Sequence, residues 1–174
     1  MCGIFGISST KPISNQLIKG LSKLEYRGYD SAGISGHDSN SNLVTITATA
    51  PIKNLTHKLS KLKGITTALS HTRWATHGQP TLKNTHPHLS EYIGIVHNGI
   101  IENYLDLKSY LKKKGYVFRS DTDSEVICHL MNYYFNKSTD MQSSIISTAN
   151  SLDGSYAIAA INSHTPHTIY TSCK

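Results

Sequence analysis

With 174 residues the chain has room for one domain, and its hydrophobic residues, 38% of the total, are numerous enough to exclude intrinsic disorder. No apolar run approaches the roughly 20 residues that a membrane-spanning helix needs. The formal net charge is +6, but lysine and arginine are scattered, and the densest cluster, Lys112-Lys113-Lys114, ends a predicted helix. The charge therefore indicates a solvated basic surface rather than a nucleic-acid-binding stripe.

Periodicity and turn residues divide the first half of the chain into short strands and helices. Leucine spacing predicts the helices, and alternating β-branched residues support the strand that follows the polar turn at 39–42. In chain order we expect a buried strand within 1–8, a helix over 13–24, a loop over 26–34 that feeds a strand, a second strand over 43–48, a short helix over 55–62 closed by Gly64, and a strand over 65–72.

The second half of the chain begins with a long polar loop over 73–84. Thr122 and Glu125 have the spacing of a capping box, which predicts the start of a helix. The expected elements are a strand over 92–97 ended by Asn98-Gly99, helices over 102–114, from 122 to about 135 and over 141–151, and paired strands over 156–161 and 168–171. Strands at both ends with helices between them indicate an α+β fold, or sheets sandwiched between helices. Because the chain stops directly behind a strand, we expect a larger parent protein.

Cys2 directly follows the initiator methionine, which is usually removed before a small residue. Removal would give residue 2 a thiol and a free α-amine, and an amine with an ordinary pKa of about 7.7–8.0 is a usable general base near neutral pH. The nucleophile is the thiolate, and a bridging water would carry the proton of the thiol to the amine. Gly3 would permit close approach of a substrate. On position alone, however, a small buried hydrophobe is the favoured interpretation of Cys2.

Disulfide and metal chemistry find little support in the sequence. The other cysteines, Cys128 and Cys173, are widely spaced and form no CxxC pair, so we interpret them as packing or surface thiols. Free thiols without a targeting segment indicate a reducing, cytoplasmic setting. Ten histidines include the close pair in His86-Pro87-His88, but no carboxylate or cysteine completes a ligand set nearby. We therefore expect no metal.

Six motifs occur in order between Met1 and Ile127: MCGIFGI, LEYRGYDSAGI, HTRWATHG, HPH, HNGIIENY and SDTDSEVI. Together they resemble the glutaminase domain of class-II glutamine amidotransferases, and within that class the glutamine–fructose-6-phosphate aminotransferase family. The resemblance spans essentially the whole chain. Purine-pathway members have HRGQESAG in the second motif and asparagine synthetases have RGPD, whereas this chain has YRGYDSAG at 26–33 and HTRWATHG at 71–78.

The resemblance implies the N-terminal-nucleophile hydrolase fold, a four-layer α/β/β/α sandwich with two antiparallel sheets. It also implies that Cys2 is the nucleophile, that Arg73 holds the glutamine α-carboxylate and that Asp123 accepts the α-ammonium. A guanidinium fork suits a carboxylate bidentately. The structural alternatives are a surface ion pair for Arg73 and a stabilising acid in the first turn of a helix for Asp123.

Asn98 and Gly99 resemble the family's oxyanion hole, with the Asn98 side-chain amide and the Gly99 backbone N–H as donors. Acyl transfer develops negative charge on the amide oxygen, and losing one such donor typically costs about 10²–10³ in rate. The structural alternative is a hairpin turn, for which Asn-Gly is the strongest short signal. Against it, the next residues lead into a predicted helix rather than a return strand.

The loop over 73–84 resembles the segment that closes over bound glutamine in the family. There Trp74 would be the cover, and Thr76 and His77 would add substrate contacts. A lone tryptophan is otherwise more often a core residue. Arg27 resembles a residue beside the nucleophile, where its charge would favour thiolate, although a structural arginine at a strand entrance is equally reasonable.

The activity that the resemblance implies is hydrolysis of glutamine to glutamate and ammonia through a Cys2 thioester, without a cofactor. In the full-length family, which is homo-oligomeric, the ammonia passes to a sugar-phosphate isomerase domain that makes glucosamine 6-phosphate from fructose 6-phosphate. That domain is absent from residues 1–174, so we expect glutaminase activity alone, in the cytoplasm, with no nucleic-acid or membrane partner. An amidotransferase with another ammonia acceptor is disfavoured by the motifs, and a basic binding module by the lack of an aromatic-basic stripe.

Overall fold

Antiparallel pairing organises the chain into two four-stranded sheets. The computed structural model describes residues 2–38, 40–75 and 79–174, and within them the chain forms eight strands and five α-helices. The strands are β1 (Gly3–Ser8), β2 (Ser31–His37), β3 (Leu43–Thr49), β4 (Thr67–Arg73), β5 (His88–Ser90), β6 (Ile93–Ile101), β7 (Gly154–Asn162) and β8 (Tyr170–Cys173). The helices are α1 (Ser14–Ser22), α2 (Lys53–Thr56), α3 (Tyr104–Lys113), α4 (Ser124–Ser138) and α5 (Met141–Ser151). None of these helices is long and apolar enough to cross a membrane.

The strand order is β1-β4-β2-β3 in the first sheet and β5-β6-β7-β8 in the second, with every pair antiparallel. Three apolar clusters separate four layers. One packs α1 and α2 against the first sheet, and another packs α3, α4 and α5 against the second. The third, formed by Leu69, Val96, Ala159 and Ile161, joins the inner faces of the two sheets. Burial of each Leu or Ile stabilises the fold by about 1.5–3 kcal/mol, so these clusters hold β4 and β6 face to face.

Several boundaries differ from the sequence expectations for identifiable reasons. The predicted helix over 13–24 ends at Ser22 and is followed by a 3₁₀ turn, Glu25–Arg27, and the one over 55–62 is divided into α2 and the 3₁₀ turn Leu59–Leu62. The N-terminal strand is only partly buried, because β1 lies at an edge of its sheet. β5 was missed, since three residues carry no measurable periodicity.

The second half departs from expectation at two points that matter for the site. β6 does not end before Asn98-Gly99: it continues to Ile101 and pairs Asn98 with Ala157 and Gly99 with Tyr156. The predicted capping box is also wrong. α4 begins at Ser124, and the Glu125 carboxylate accepts the backbone N–H groups of Arg119 and Ser120 at 2.7–3.1 Å instead of that of Thr122. By contrast, α5 has the predicted bounds, and its N-cap Asp140 accepts the Ser143 N–H at 2.7 Å.

Candidate functional site

A cavity of about 590 Å³ opens between the sheets at the ends of β4 and β6. This volume suits a small polar molecule such as an amino acid. Of the residues predicted from the sequence, the cavity is lined by Cys2, Arg27, Arg73, Trp74, Asn98, Gly99 and Asp123. Five short segments from both halves of the chain therefore meet at one place. The predicted contacts of Thr76 and His77 lie outside the described residues.

Cys2 is half-buried and immediately precedes β1. The β1–β4 register pairs Gly3 with Thr72, which brings the Cys2 sulfur to the backbone just beyond β4. There the Trp74 N–H donates to Cys2 Sγ at 3.1 Å, and the thiol lies 3.4 Å from the Trp74 carbonyl oxygen. The sheet itself thus fixes the sulfur at the cavity wall.

Gly3 lies in β1 beside Cys2. It is buried and does not line the cavity. A Cβ at Gly3 would lie 2.7 Å from Leu24 Cδ1 and 3.0 Å from Thr72 Oγ1. The space beside Gly3 is therefore filled by the protein's own side chains, and close approach of a substrate at Gly3 stays a prediction.

Arg73 is the last residue of β4 and is 3% exposed. Its Nη1 lies 3.6 Å from Asp30 Oδ1 and donates to the Gln79 carbonyl oxygen at 3.3 Å. Asp30, which the sequence analysis did not single out, also accepts the Ala75 N–H at 2.6 Å through Oδ2. It therefore ties the guanidinium to the loop that follows β4. The only sequence signal for this role was its place in the YRGYDSAG motif.

Asp123 lies across the cavity from the first sheet and is 4% exposed. Its Oδ2 accepts the Ile101 N–H at 2.9 Å, and the Ser124 hydroxyl lies 3.3 Å from its Oδ1. The same hydroxyl is 2.8 Å from His97 Nδ1. These contacts hold the carboxylate between the end of β6 and the start of α4. Asp123 is the N-cap of α4 rather than an acid in its first turn, and its side chain contacts β6 instead of capping the helix.

Asn98 and Gly99 lie within β6 at the cavity wall. Asn98 Oδ1 lies 2.8 Å from His71 Nε2. Gly99 has φ +128°, and a Cβ there would lie 2.2 Å from the Ser155 carbonyl oxygen. Because an L side chain rarely adopts this φ and no space exists for one, glycine is required at this position.

Trp74 and Arg27 form the outer wall of the cavity. Trp74 is 54% exposed, and a Cβ at Gly28 would lie 2.5 Å from its Cζ3, so the indole packs directly over Gly28. Gly28 has φ +75°, which favours glycine there as well. An exposed indole at the mouth of the cavity is compatible with the predicted cover, which remains a prediction, as does the effect of Arg27 on the thiol.

His86 and His97 line the cavity, and His71 and His88 are buried close to them. The His86 ring centroid lies 4.2 Å from that of His71, 4.6 Å from that of His88 and 6.4 Å from that of His97. Burial lowers the pKa values of His71 and His88 to about 4 and that of His86 well below its ordinary value. Uncharged rings explain how this cluster packs beside Arg73. Among the described residues, no three His, Cys, Asp or Glu side chains are grouped to hold a metal ion.

Stability should therefore fall as the pH drops from about 6.5 towards 4. Between these values the unfolded histidines take up protons, whereas buried His71 and His88 do not until about pH 4. Each such histidine costs up to about 1.4 kcal/mol of unfolding free energy per pH unit. Urea unfolding at pH 7 and pH 5 measures the loss, which H71Q should reduce and H57Q, at an exposed histidine, should not. Equal stability at the two pH values would contradict this account.

Comparison with known proteins shows which family the chain belongs to. A family model described as a glutamine amidotransferase domain matches residues 66–171. The chain belongs to this family. Its relatives include the glutamine–fructose-6-phosphate aminotransferases [isomerizing] of Buchnera aphidicola subsp. Acyrthosiphon pisum, 45% identical over 95% of this chain, and of Francisella tularensis subsp. tularensis, 46% identical over 93%. The chain spans only 28% and 27% of the lengths of these two relatives.

A solved structure confirms the fold of this amidotransferase domain. The glutamine phosphoribosylpyrophosphate amidotransferase from B. subtilis, complexed with ADP and GMP, superposes with a TM-score of 0.80 at 26% identity. The match covers 100% of this chain and 37% of that one. The two antiparallel sheets between helical layers are thus the N-terminal-nucleophile amidotransferase fold that the motifs predicted.

Proposed function

We propose that this chain is a glutaminase domain in which Cys2 attacks the side-chain amide of glutamine. The observation that carries the proposal is the convergence of Cys2, Arg73, Asp123 and the Asn98-Gly99 pair on one cavity. A thiol nucleophile, a cation, a carboxylate and amide donors are the groups that such a reaction on a zwitterionic amino acid requires. Membership of the amidotransferase family supports the same activity.

Substrate binding follows from the two charged walls. The Arg73 guanidinium would hold the glutamine α-carboxylate, and the Asp123 carboxylate would accept the α-ammonium. Both side chains are nearly fully buried and are held by neighbours, so they lose little conformational freedom on binding. Fixing the α-carbon at two points directs the side-chain amide towards Cys2.

The chemical steps then proceed through a thioester. After removal of Met1, the Cys2 α-amine takes the thiol proton through a water, and the sulfur forms a bond to the amide carbon. The amide oxygen becomes negatively charged and is stabilised by the Asn98 side-chain amide and the Gly99 N–H. The C–N bond breaks as the nitrogen takes up the proton, and ammonia leaves. Water then attacks the thioester, which gives glutamate and restores the thiol.

The wider role of the protein is inferred from its relatives. We infer that residues 1–174 are a type-2 glutamine amidotransferase domain, here without the isomerase domain that would follow in the parent chain. The relatives' name implies that the ammonia is used to convert fructose 6-phosphate, and glucosamine 6-phosphate would supply UDP-N-acetylglucosamine synthesis in the cytoplasm of the cell. The parent protein would be a homo-oligomer.

Glutamate and ammonia should appear in equal amounts when the processed protein is incubated with L-glutamine. Glutaramate, which lacks the α-ammonium that Asp123 would bind, should be a much poorer substrate. Enzymatic assays for glutamate and ammonia measure both products. Absence of both products from folded protein of confirmed N-terminus would overturn the proposed function.

Replacing Arg73 with lysine should raise the KM for glutamine about 10- to 100-fold and change kcat by only a few fold. Lysine keeps the charge but cannot bind a carboxylate bidentately, a difference of about 1.5–3 kcal/mol. R119K is the matched control, because Arg119 is exposed and does not line the cavity. Steady-state kinetics of both variants test the assignment, and an unchanged KM in R73K would contradict it.

A further inference from the structure

The oxyanion hole raises a question of orientation at Asn98. Its side chain carries one oxygen that accepts and one NH₂ group that donates, and only the NH₂ group stabilises negative charge on the substrate. Rotating the amide by half a turn would present the oxygen to the cavity instead. Which end faces the substrate therefore depends on what the neighbours of Asn98 donate or accept.

The orientation of the Asn98 amide follows from its contact with one ring nitrogen of His71. His71 Nε2 lies 2.8 Å from the Asn98 side chain and 3.1 Å from the backbone carbonyl oxygen of His97. A carbonyl oxygen only accepts hydrogen bonds, so Nε2 must carry the ring proton. The Asn98 atom that faces a donor must then be Oδ1, and the NH₂ group is directed away from His71.

The surroundings of His71 keep that proton on Nε2. Its Nδ1 is buried and has no hydrogen-bond partner in the described part of the chain. The His86 ring packs against the His71 ring, with 4.2 Å between the two centroids. A proton on Nδ1 would be a buried donor without an acceptor, and Nε2 would then donate to neither oxygen. Burial also lowers the pKa of His71 to about 4, so the neutral ring carries one proton at pH 7.

The backbone of His71 is equally constrained. It lies in β4, paired with Ile4 of β1 on one side and Gly33 of β2 on the other, and it is 1% exposed. Its side chain reaches from the first sheet to β6 of the second, without lining the cavity itself. Any effect of His71 on the substrate must therefore pass through another residue.

We propose that His71 is a positioning residue that orients the Asn98 amide so that its NH₂ group faces the substrate oxyanion. The inference rests on the proposed glutaminase function. It predicts a loss in kcat with little change in KM, because the interaction with the oxyanion is made only in the transition state.

Two substitutions separate hydrogen bonding from packing. H71M fills similar space without a donor, whereas H71Q places an amide N–H near the position of Nε2. We expect kcat to fall about 10- to 100-fold in H71M, with KM within about 3-fold of the unsubstituted protein, and H71Q to recover most of the loss. A kcat of H71M within about 3-fold of the unsubstituted protein, or an H71Q as slow as H71M, would overturn the proposal.

A double-mutant cycle with N98A tests whether His71 acts through Asn98. Once the Asn98 amide is absent, H71M should lower kcat by no more than about 2-fold further. The same loss in both backgrounds would mean that His71 acts elsewhere and would overturn the proposal. Thermal unfolding of each variant identifies any that fails to fold.

Imidazole ¹⁵N NMR of the unsubstituted protein provides a test that needs no activity. At pH 7 the His71 signals should report protonated Nε2 and unprotonated Nδ1, and a proton on Nδ1 would overturn the proposal. If glutamine is not hydrolysed at all, the proposed function fails, while the tautomer still decides whether His71 donates to Asn98. The two failures are thus distinguishable.

Discussion

Replacing Cys2 with alanine is expected to lower kcat for glutamate release by about 10³-fold or more, because no other group at the cavity wall can form the thioester. Alanine still allows removal of Met1. The substitution should leave folding intact, since Cys2 is half-buried and its sulfur contacts the exposed backbone of Trp74. Glutamine should therefore still bind, which isothermal calorimetry measures alongside the activity.

Cys173→Ala is the matched control for that experiment. Cys173 is an exposed free cysteine in β8, far along the chain from the cavity residues, and it does not line the cavity. Cys128 is less suitable, because it is buried, and its thiol donates to the His88 and Ile93 carbonyl oxygens at 3.4 Å. The assignment of the nucleophile fails if Cys2→Ala keeps more than about a tenth of the activity, or if Cys173→Ala loses as much.

Replacing Gly99 with alanine should damage both stability and catalysis. At φ +128° a side chain is strained, and its Cβ would lie 2.2 Å from the Ser155 carbonyl oxygen, so β6 and β7 must move apart. We expect a loss of about 3 kcal/mol or more in the free energy of unfolding. Displacement of the Gly99 N–H should also lower kcat about 10²-fold in the folded fraction. Urea unfolding and steady-state kinetics at low temperature measure the two effects.

Gly115→Ala separates backbone strain from the clash and from the site. Gly115 has φ +92°, but nothing lies within 4 Å of a Cβ built there. This variant should lose only about 1–2 kcal/mol and keep its kcat. If Gly99→Ala behaves like Gly115→Ala in both measurements, Gly99 has no special role at the cavity.

The sequence was most informative where local pattern determines structure. α5 has the predicted bounds, because apolar periodicity and the Asp140 cap agree over one continuous segment. The motifs also contain the cavity residues, and each motif includes the first or last residue of a strand or helix. Neither the α5 pattern nor the motifs required knowledge of which strands pair with each other.

Strand pairing and buried polar contacts could not be predicted from local sequence patterns. Asn98-Gly99 was expected to end a strand because the pair usually forms turns, yet pairing with β7 continues the strand through it. Asp30 and His71 were not assigned roles, because what each contacts depends on residues more than 20 positions away. Glu125 accepts the backbone N–H groups of Arg119 and Ser120, six and five positions earlier, because the loop before α4 directs these donors at its carboxylate.

Intact-mass analysis after incubation with a diazoketone analogue of glutamine tests the central claim most directly. The proposed function predicts a protein that lacks Met1 and gains one analogue-derived group, which peptide mapping places on Cys2; an excess of glutamine should slow the labelling. Unlabelled folded protein, or labelling of Cys173 in place of Cys2, would contradict the assignment of Cys2 as the nucleophile.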